Sequence, residues 1–337
     1  MAYRWILLIS ISLALLACSP ANERQLSNYQ SRLERVAGLE PGRAQPLAVD
    51  ALPSARDLLH PLPDLRLDLL DAWASRQCGL DALIAERNSS LGRVQSHSLR
   101  LNYELRLLRQ LEYCLQQDSI SSPLQQQLAD ILHSKQHSIE LSFFNMLHAE
   151  QTLRQQLHGK SQLLPIAGQE ALFETQAALQ QLNQLQSAIA AQDWSAAAAI
   201  DTEGALGVLH RFDTLAVLQY SQRYLTGWLT SLNQALLALE PAQFCPQQRP
   251  SEQLSILTTV FLKFFAEELQ PYFNQHQRHM QALWPELQQL YQQSPLLPVL
   301  EQRYAGSAAL MQQQILAHIG WWQQLNAECP AGLTQRN

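Results

Sequence analysis

The chain has 337 residues, a formal net charge of −6, 47% hydrophobic residues and only 15% charged residues. This much apolar material excludes a disordered chain, and the negative charge excludes a nucleic-acid binder of the usual kind, which needs a basic face to neutralise phosphates. Leucine and glutamine, with 64 and 45 copies, far outnumber valine and isoleucine, with 7 and 13. Because leucine and glutamine favour helices and strands favour β-branched residues, the composition predicts an all-α fold.

The first 18 residues, MAYRWILLISISLALLAC, are typical of an export signal. Arg4 precedes twelve uncharged residues, from Trp5 to Leu16, and this run is shorter than the roughly 20 residues that span a membrane. The run leads into Leu15-Leu16-Ala17-Cys18, which resembles a bacterial lipobox. The pattern predicts cleavage before Cys18 and attachment of diacylglycerol to its thiol. The alternatives are an ordinary secretion signal with a chance cysteine, or an uncleaved anchor.

A lipidated Cys18 would tie the chain to a membrane surface, because each buried CH₂ of an acyl chain contributes about 0.8 kcal/mol. The next residue, Ser19, is not the aspartate that usually retains lipoproteins of Gram-negative bacteria in the inner membrane. We therefore expect anchoring to the outer membrane, facing the periplasm. The expected organisation is a signal peptide at 1–17, a lipidated segment with a short helix and a proline-rich linker at 18–63, and one α-helical domain at 64–330.

Four further cysteines are present: Cys78, Cys114, Cys245 and Cys329. An even number in an exported protein is typical of disulfides, and four cysteines allow three pairings. Cys78 and Cys114 lie on either side of a break at residues 92–98, so an antiparallel helix hairpin would bring them together. Cys245 precedes the C-terminal helical region and Cys329 ends it. The positions favour Cys78–Cys114 and Cys245–Cys329 over free buried thiols, and over a metal site, for which no C-x-x-C is present.

Apolar spacing and helix-breaking residues predict the helices in chain order. We expect helices at 22–37 (ended by Gly38), 65–76, 80–88, from a Ser96 N-cap through about Leu115, from Ser122-Pro123 towards Gly159, and at 170–192, 205–239, 251–291 and 297–327. Five prolines make residues 41–63 irregular, and this linker is expected to wrap on the main body. A loop is expected at 241–250, and kinks at Pro271 and Pro285. The long helices predict a bundle.

Histidine pairs and nucleophile motifs give no support for catalysis. His133 and His137 are four residues apart and His276 and His279 are three apart, but neither pair has a third ligand at a suitable spacing. Neither G-x-S-x-G nor a glycine-rich phosphate loop occurs in the sequence. We therefore predict no catalytic residue, no metal and no cofactor.

The segment between Cys78 and Cys114 is unusually rich in polar residues. The candidate cluster comprises Glu86, Arg87, Asn88, Ser89, Ser90, Tyr103 and Glu104. Such side chains either satisfy backbone groups at a helix–turn–helix junction or line a binding cleft. Because the predicted hairpin brings its two helices together, we expect Arg87 and Glu104 to form a charge pair that Tyr103 covers.

The same segment carries a family resemblance. It reads C-x-L-x-x-L-I-x-E-R-N-S-S-L-G from Cys78, followed by S-x-x-L-x-Y-E and a second cysteine. With the lipobox and the length, this pattern resembles a proteobacterial lipoprotein family, domain-of-unknown-function family 3080. The resemblance implies a Gram-negative envelope location and no particular activity.

The sequence therefore predicts a non-enzymatic, all-helical periplasmic lipoprotein that binds another envelope component, with an envelope protein as the expected partner. The alternative is an envelope enzyme or a small-ligand-binding protein that uses the polar cluster at residues 86–104. A pocket with converging ionisable groups would favour the enzyme, whereas an exposed groove would favour the binding protein.

Overall fold

A computed structural model describes residues 20–62, 75–90, 92, 94–166 and 169–329. All regular structure in these residues is helical, which confirms the predicted all-α class. The α-helices of five or more residues are α1 (Ala21–Ala37), α2 (Leu80–Asn88), α3 (His97–Leu115), α4 (Ser122–Ala149), α5 (Gln151–His158), α6 (Glu170–Ala190), α7 (Trp194–Ala199), α8 (Thr202–Arg211), α9 (Thr214–Leu237), α10 (Glu252–Val260), α11 (Gln270–Leu290), α12 (Leu297–Glu301) and α13 (Ser307–Glu328). Two predicted features lie outside the described residues. They are the signal peptide with Cys18, and residues 65–74 of the helix predicted at 65–76.

Local capping signals explain where several helices begin and end. The Ser96 hydroxyl accepts the Leu99 N–H at 3.2 Å at the start of α3, and the Ser251 hydroxyl accepts the Leu254 N–H at 3.1 Å at the start of α10. Gly38 ends α1 in the left-handed region, with φ of 67°, which glycine adopts without steric cost. The predicted boundaries at Gly38 and Ser96 are confirmed.

Two long helices of the prediction are each broken in the structure. The helix predicted from Ser122 towards Gly159 ends at Ala149, because Glu150 adopts an extended conformation with ψ of 126°. The Glu150 carboxylate then accepts the Gln151 N–H at 3.2 Å and starts α5. The break thus depends on Glu150, whose side chain caps the following helix. Neither a glycine nor a proline marks it in the sequence.

The helix predicted at 205–239 is also two helices, α8 and α9, separated at residues 212–213. Gln156 of α5 stabilises this break. Its buried side-chain amide donates to the carbonyl oxygens of Leu209 at 2.6 Å and Phe212 at 3.1 Å. Since the carbonyls at the end of a helix have no partner within it, this amide satisfies groups that the break exposes.

The helical region predicted at 251–291 is confirmed, with one local change of geometry. Residues Phe261–Leu269 form a π-helix between α10 and α11, immediately before Pro271. Proline has no N–H to donate, and a π-helical turn is a recognised way to accommodate such an interruption. The predicted last helix is also continuous, as α12, a π-helical segment at Gln302–Gly306, and α13.

One large apolar core joins most of these helices, and α1 belongs to it. Leu26, Tyr29 and Leu33 of α1 are at most 4% exposed and pack in the same cluster as side chains from α3 to α13. A smaller cluster surrounds Cys78 and Cys114, between α2, α3 and the start of α4.

Both predicted disulfides are present. The Cα atoms of Cys78 and Cys114 are 5.2 Å apart, and those of Cys245 and Cys329 are 5.8 Å apart. The hairpin argument for the first pair is therefore confirmed, because α2 and α3 do lie side by side on the two sides of their turn. The second disulfide joins the end of α13 to the loop between α9 and α10.

Residues 38–62 form a strap across the helices, which is irregular apart from one helical turn at Ala55–Leu58, in agreement with the expected wrapping of the linker. On α9, Ser231 donates to the carbonyl oxygen of Gly42 at 2.6 Å. Five residues further along the strap, the Arg223 guanidinium donates to the carbonyl oxygen of Leu47 at 2.8 Å, and the Leu47 N–H donates back to the carbonyl oxygen of Arg223. The strap therefore follows α9 through its backbone groups.

Beyond α9, side chains from three other parts of the fold hold the strap. The guanidinium of Arg303, which is only 6% exposed, donates to the carbonyl oxygen of Asp50 at 2.5 Å. Arg154 of α5 donates to the carbonyl oxygen of Pro53 at 2.7 Å. The Asn145 amide of α4 then exchanges two hydrogen bonds of 2.8 Å with the backbone of His60.

Gly227 lies where the backbone of the strap passes directly against α9. A Cβ atom at this position would lie 1.8 Å from the carbonyl oxygen of Gln45. We expect Gly227→Ala to lower the free energy of unfolding by about 1–3 kcal/mol in chemical denaturation, because it overpacks this contact. As a control, Gly320→Ala in α13 has no atom within 4 Å of its new Cβ and should gain up to about 1 kcal/mol from better helix propensity. Equal effects of the two substitutions would contradict the close approach.

Candidate functional site

The polar residues predicted at the α2–α3 junction mainly support the turn between these helices. The guanidinium of Arg87 donates to the carbonyl oxygen of Gly92. The Ser89 hydroxyl accepts the Gly92 N–H at 3.0 Å and donates to the carbonyl oxygen of Glu86 at 2.7 Å. The Glu86 carboxylate pairs with Arg106 of α3 at 2.5 Å. Asn88 and Ser90 are exposed beside them, and a binding role for this cluster stays a prediction.

The expected charge pair between Arg87 and Glu104 is wrong. The partner of Glu104 is Lys135 of α4, with 2.6 Å between Nζ and Oε2, while the Arg100 guanidinium lies 3.9 Å from the other carboxylate oxygen. Glu104 and Lys135 are only 4% and 6% exposed. The prediction failed because Glu104 faces α4 across the core, whereas Arg87 turns back to its own loop.

Tyr103 is buried in the smaller core cluster. Burial raises the pKa of its phenol above the usual value, and the nearby Glu104 carboxylate raises it further. The phenol therefore stays neutral across the physiological range. One sequence signal points to the partner of Glu104. Lys135 is one of only three lysines in the chain, and it lies on the apolar face of α4, between Leu128 and Ile139.

An open groove with a volume of about 800 Å³ lies between α1, the strap and α9. This volume is within the usual range for ligand sites. The groove is lined by one face of α1, by the strap from Pro41 to Pro46, by residues 161–163 and by three aromatic residues of α9. We name it the α1–α9 groove.

The aromatic side of the groove comes from Tyr220, Tyr224 and Trp228, which are four residues apart and so share one face of α9. Tyr220 and Tyr224 are half-buried, and their rings are stacked at 6.3 Å between centroids with 21° between planes. Trp228 is only 3% exposed and donates its indole N–H to the Gln30 side chain at 2.7 Å. This hydrogen bond ties α9 to α1 at one end of the groove.

The opposite wall is the polar face of α1. It carries Glu23, Ser27, Gln30, Ser31 and Glu34. Gln30 donates to Glu34 at 2.8 Å, whereas the side chains of Glu23 and Ser27 have no hydrogen bond or ion pair with the described residues. These exposed groups are available to a ligand.

The pKa of the Tyr224 phenol reflects the charged groups around the groove. Burial raises the pKa of its phenol, the nearby Tyr220 and Glu23 raise it further, and Arg43 of the strap opposes them. The Tyr224 phenol therefore lies close enough to charged groups of both α1 and the strap to be affected by them. The sequence predicts helices at 22–37 and 205–239 but no site between them, although the four-residue spacing of Tyr220, Tyr224 and Trp228 was a usable signal.

Two fully buried histidines lie outside the groove and serve the core. The indole N–H of Trp322 points at Nε2 of His318 at 3.1 Å, so Nε2 accepts, and Nδ1–H donates to the Asn233 side-chain oxygen at 2.8 Å. Burial lowers the pKa of His318 to about 3 and that of His276, which contacts Ser221 at 2.7 Å, to about 4. Both rings are therefore neutral at pH 7.

The described residues contain no group of three or more His, Cys, Asp or Glu side chains arranged to hold a metal ion. His133 and His137 stack edge to face at 4.4 Å on the surface of α4, without a third ligand from that set. Within the same described ranges, no helix combines the length and the apolar character needed to cross a membrane.

These features define a disulfide-stapled, all-α protein with an open polar groove. The chain belongs to the family described as protein of unknown function (DUF3080), whose sequence model matches residues 26–332. The resemblance carried by the motif at Cys78 is therefore confirmed, and the match includes both disulfides. Neither the curated proteins nor the solved structures contain a significant match.

Proposed function

We propose that this protein is a lipid-anchored component of a Gram-negative envelope, attached to the outer membrane through Cys18 and facing the periplasm. The observation that carries the location is the sequence Leu15-Leu16-Ala17-Cys18 after a twelve-residue apolar run. The two disulfides support it, because paired cysteines are typical of exported proteins in oxidising compartments.

Its role in this proposal is to bind another envelope component in the α1–α9 groove, without a chemical reaction. The open groove supports binding, and the polar cluster at residues 86–104 is largely engaged in its own turn and in ion pairs. Ala21, the first residue of α1, follows Cys18 by three positions. Three residues span at most about 11 Å, so a lipid on Cys18 would hold the groove close to the membrane surface.

We expect Cys18→Ala to release the protein from the membrane fraction, because the substitution removes the lipid attachment site. The measurement is cell fractionation followed by a high-salt wash, with circular dichroism to show that the helical body still folds. The matched control is Ser19→Ala, which keeps the cysteine and should stay in the membrane fraction. A Cys18→Ala protein that is processed, folded and still membrane-bound after the wash would overturn the proposed anchor.

A further inference from the structure

We propose that the α1–α9 groove binds a neutral carbohydrate chain, and that it binds this chain without cleaving it. The inference rests on the proposed function and names the chemical class of the ligand. It is carried by three properties of the groove: an aromatic surface, a wall of polar side chains and a slightly negative charge.

The aromatic surface suits the faces of sugar rings. Tyr220 and Tyr224 present neighbouring, nearly parallel rings, and both are half-buried, so part of each remains accessible. The face of an aromatic ring carries a negative quadrupole, which attracts the positively polarised C–H groups on the face of a pyranose. Because the two rings are stacked on each other, their accessible parts form one aromatic patch along α9, against which the face of a pyranose can pack.

The polar wall suits the hydroxyl groups at the edges of the same sugar units. Glu23 and Ser27 lie on the α1 wall, opposite the tyrosines, and have no side-chain partner within the described residues. A carboxylate accepts hydrogen bonds from hydroxyls, and a serine hydroxyl both donates and accepts. An apolar ligand would leave these groups unsatisfied, whereas a polyhydroxylated ligand satisfies them while its C–H faces cover the rings.

The charge of the groove selects among carbohydrates. The charged residues of its described lining are Glu23 and Glu34, which are acidic, and Arg43, which is basic. The net negative charge disfavours phosphorylated or sulfated chains, which are usually held by clusters of arginine. Neutral sugars carry no such penalty.

The positions of the two carboxylates argue against hydrolysis. Glu23 and Glu34 are eleven residues apart on α1, which corresponds to about 16 Å along a helix. The two carboxyl groups of glycoside hydrolases lie about 5–9.5 Å apart. These two residues therefore cannot act as a hydrolytic pair on one glycosidic bond.

The test uses the full chain in a detergent without a sugar headgroup, because glycoside detergents would themselves offer a ligand. The probes are N-acetylglucosamine hexamer, maltohexaose and a sulfated maltohexaose, each titrated by calorimetry. We expect at least one neutral hexamer to bind and the sulfated chain to bind more weakly than maltohexaose. Tyr224→Ala should weaken binding about tenfold, the equivalent of roughly 1.4 kcal/mol, whereas Tyr224→Phe should retain most of it. The control Tyr113→Ala, at a tyrosine of α3 that is 51% exposed, should leave binding unchanged.

Absence of binding by both neutral hexamers to the folded protein would overturn the inference, as would binding that Tyr220→Ala and Tyr224→Ala leave unchanged. A photo-crosslinking residue at Ser27, used in intact cells, separates this failure from failure of the proposed function. Crosslinking to an envelope protein without any binding of oligosaccharide would overturn the carbohydrate inference and leave the proposed envelope role standing. Oligosaccharide binding by a wild-type protein that fractionates away from membranes would support the ligand class and overturn the proposed anchor.

Discussion

Replacing Lys135 with methionine is expected to lower the free energy of unfolding by about 3–5 kcal/mol. The substitution keeps the apolar length of the side chain and removes the ammonium group 2.6 Å from the Glu104 carboxylate. That carboxylate is only 4% exposed, and its remaining cation, Arg100, lies at 3.9 Å. The buried negative charge is therefore left without a close partner. Chemical denaturation followed by circular dichroism measures the loss.

Two comparisons separate the buried ion pair from a general effect of removing a lysine. Lys160→Met breaks the ion pair with Asp213, in which both side chains are at least 40% exposed, and should cost less than about 1 kcal/mol. The double variant Glu104→Met/Lys135→Met removes both charges and should recover most of the stability lost in the single variant. A single Lys135→Met variant no less stable than Lys160→Met would contradict the buried pair.

Removing the disulfide between Cys245 and Cys329 by replacing both with serine is expected to cost about 4–5 kcal/mol. The disulfide closes a segment with a sequence separation of 84 residues, so it restricts the unfolded chain over a quarter of its length. The matched variant, Cys78→Ser/Cys114→Ser, opens a shorter separation of 36 residues and should cost slightly less, about 4 kcal/mol. The measurement is denaturation of both variants beside the wild type under oxidising conditions. Unchanged stability of the Cys245→Ser/Cys329→Ser protein would show that this disulfide does not constrain the unfolded state.

Short-range signals account for the parts of the fold that the sequence predicts well. Gly38 and Ser96 mark helix ends because their own conformation or side chain satisfies the adjacent backbone. The breaks at residues 150 and 212–213 were missed because no glycine or proline marks them. The second break depends on Gln156, whose amide comes from α5, more than 50 positions away along the chain.

The candidate site was less predictable, because its parts are far apart in sequence. The α1–α9 groove combines a face of α1, the strap and residues 220–228 of α9, and only the folded chain brings them together. The partner of Glu104 depends on how α3 is rotated against α4, which spacing within one helix cannot reveal. The cysteine pairing was predictable because both disulfides join the two ends of a helical segment that returns on itself.

The strap has a consequence for the order in which the protein folds. Its backbone is held by Arg223 and Arg303, at sequence separations of 176 and 253 residues. Contacts of such high contact order form late, because the intervening chain must first be arranged at a large entropic cost. Residues 38–62 are synthesised early, yet their hydrogen-bond partners become available only after nearly the whole chain has emerged. We therefore expect the strap, which lines one side of the groove, to dock at the end of folding. The complete groove is then present only in a fully folded molecule.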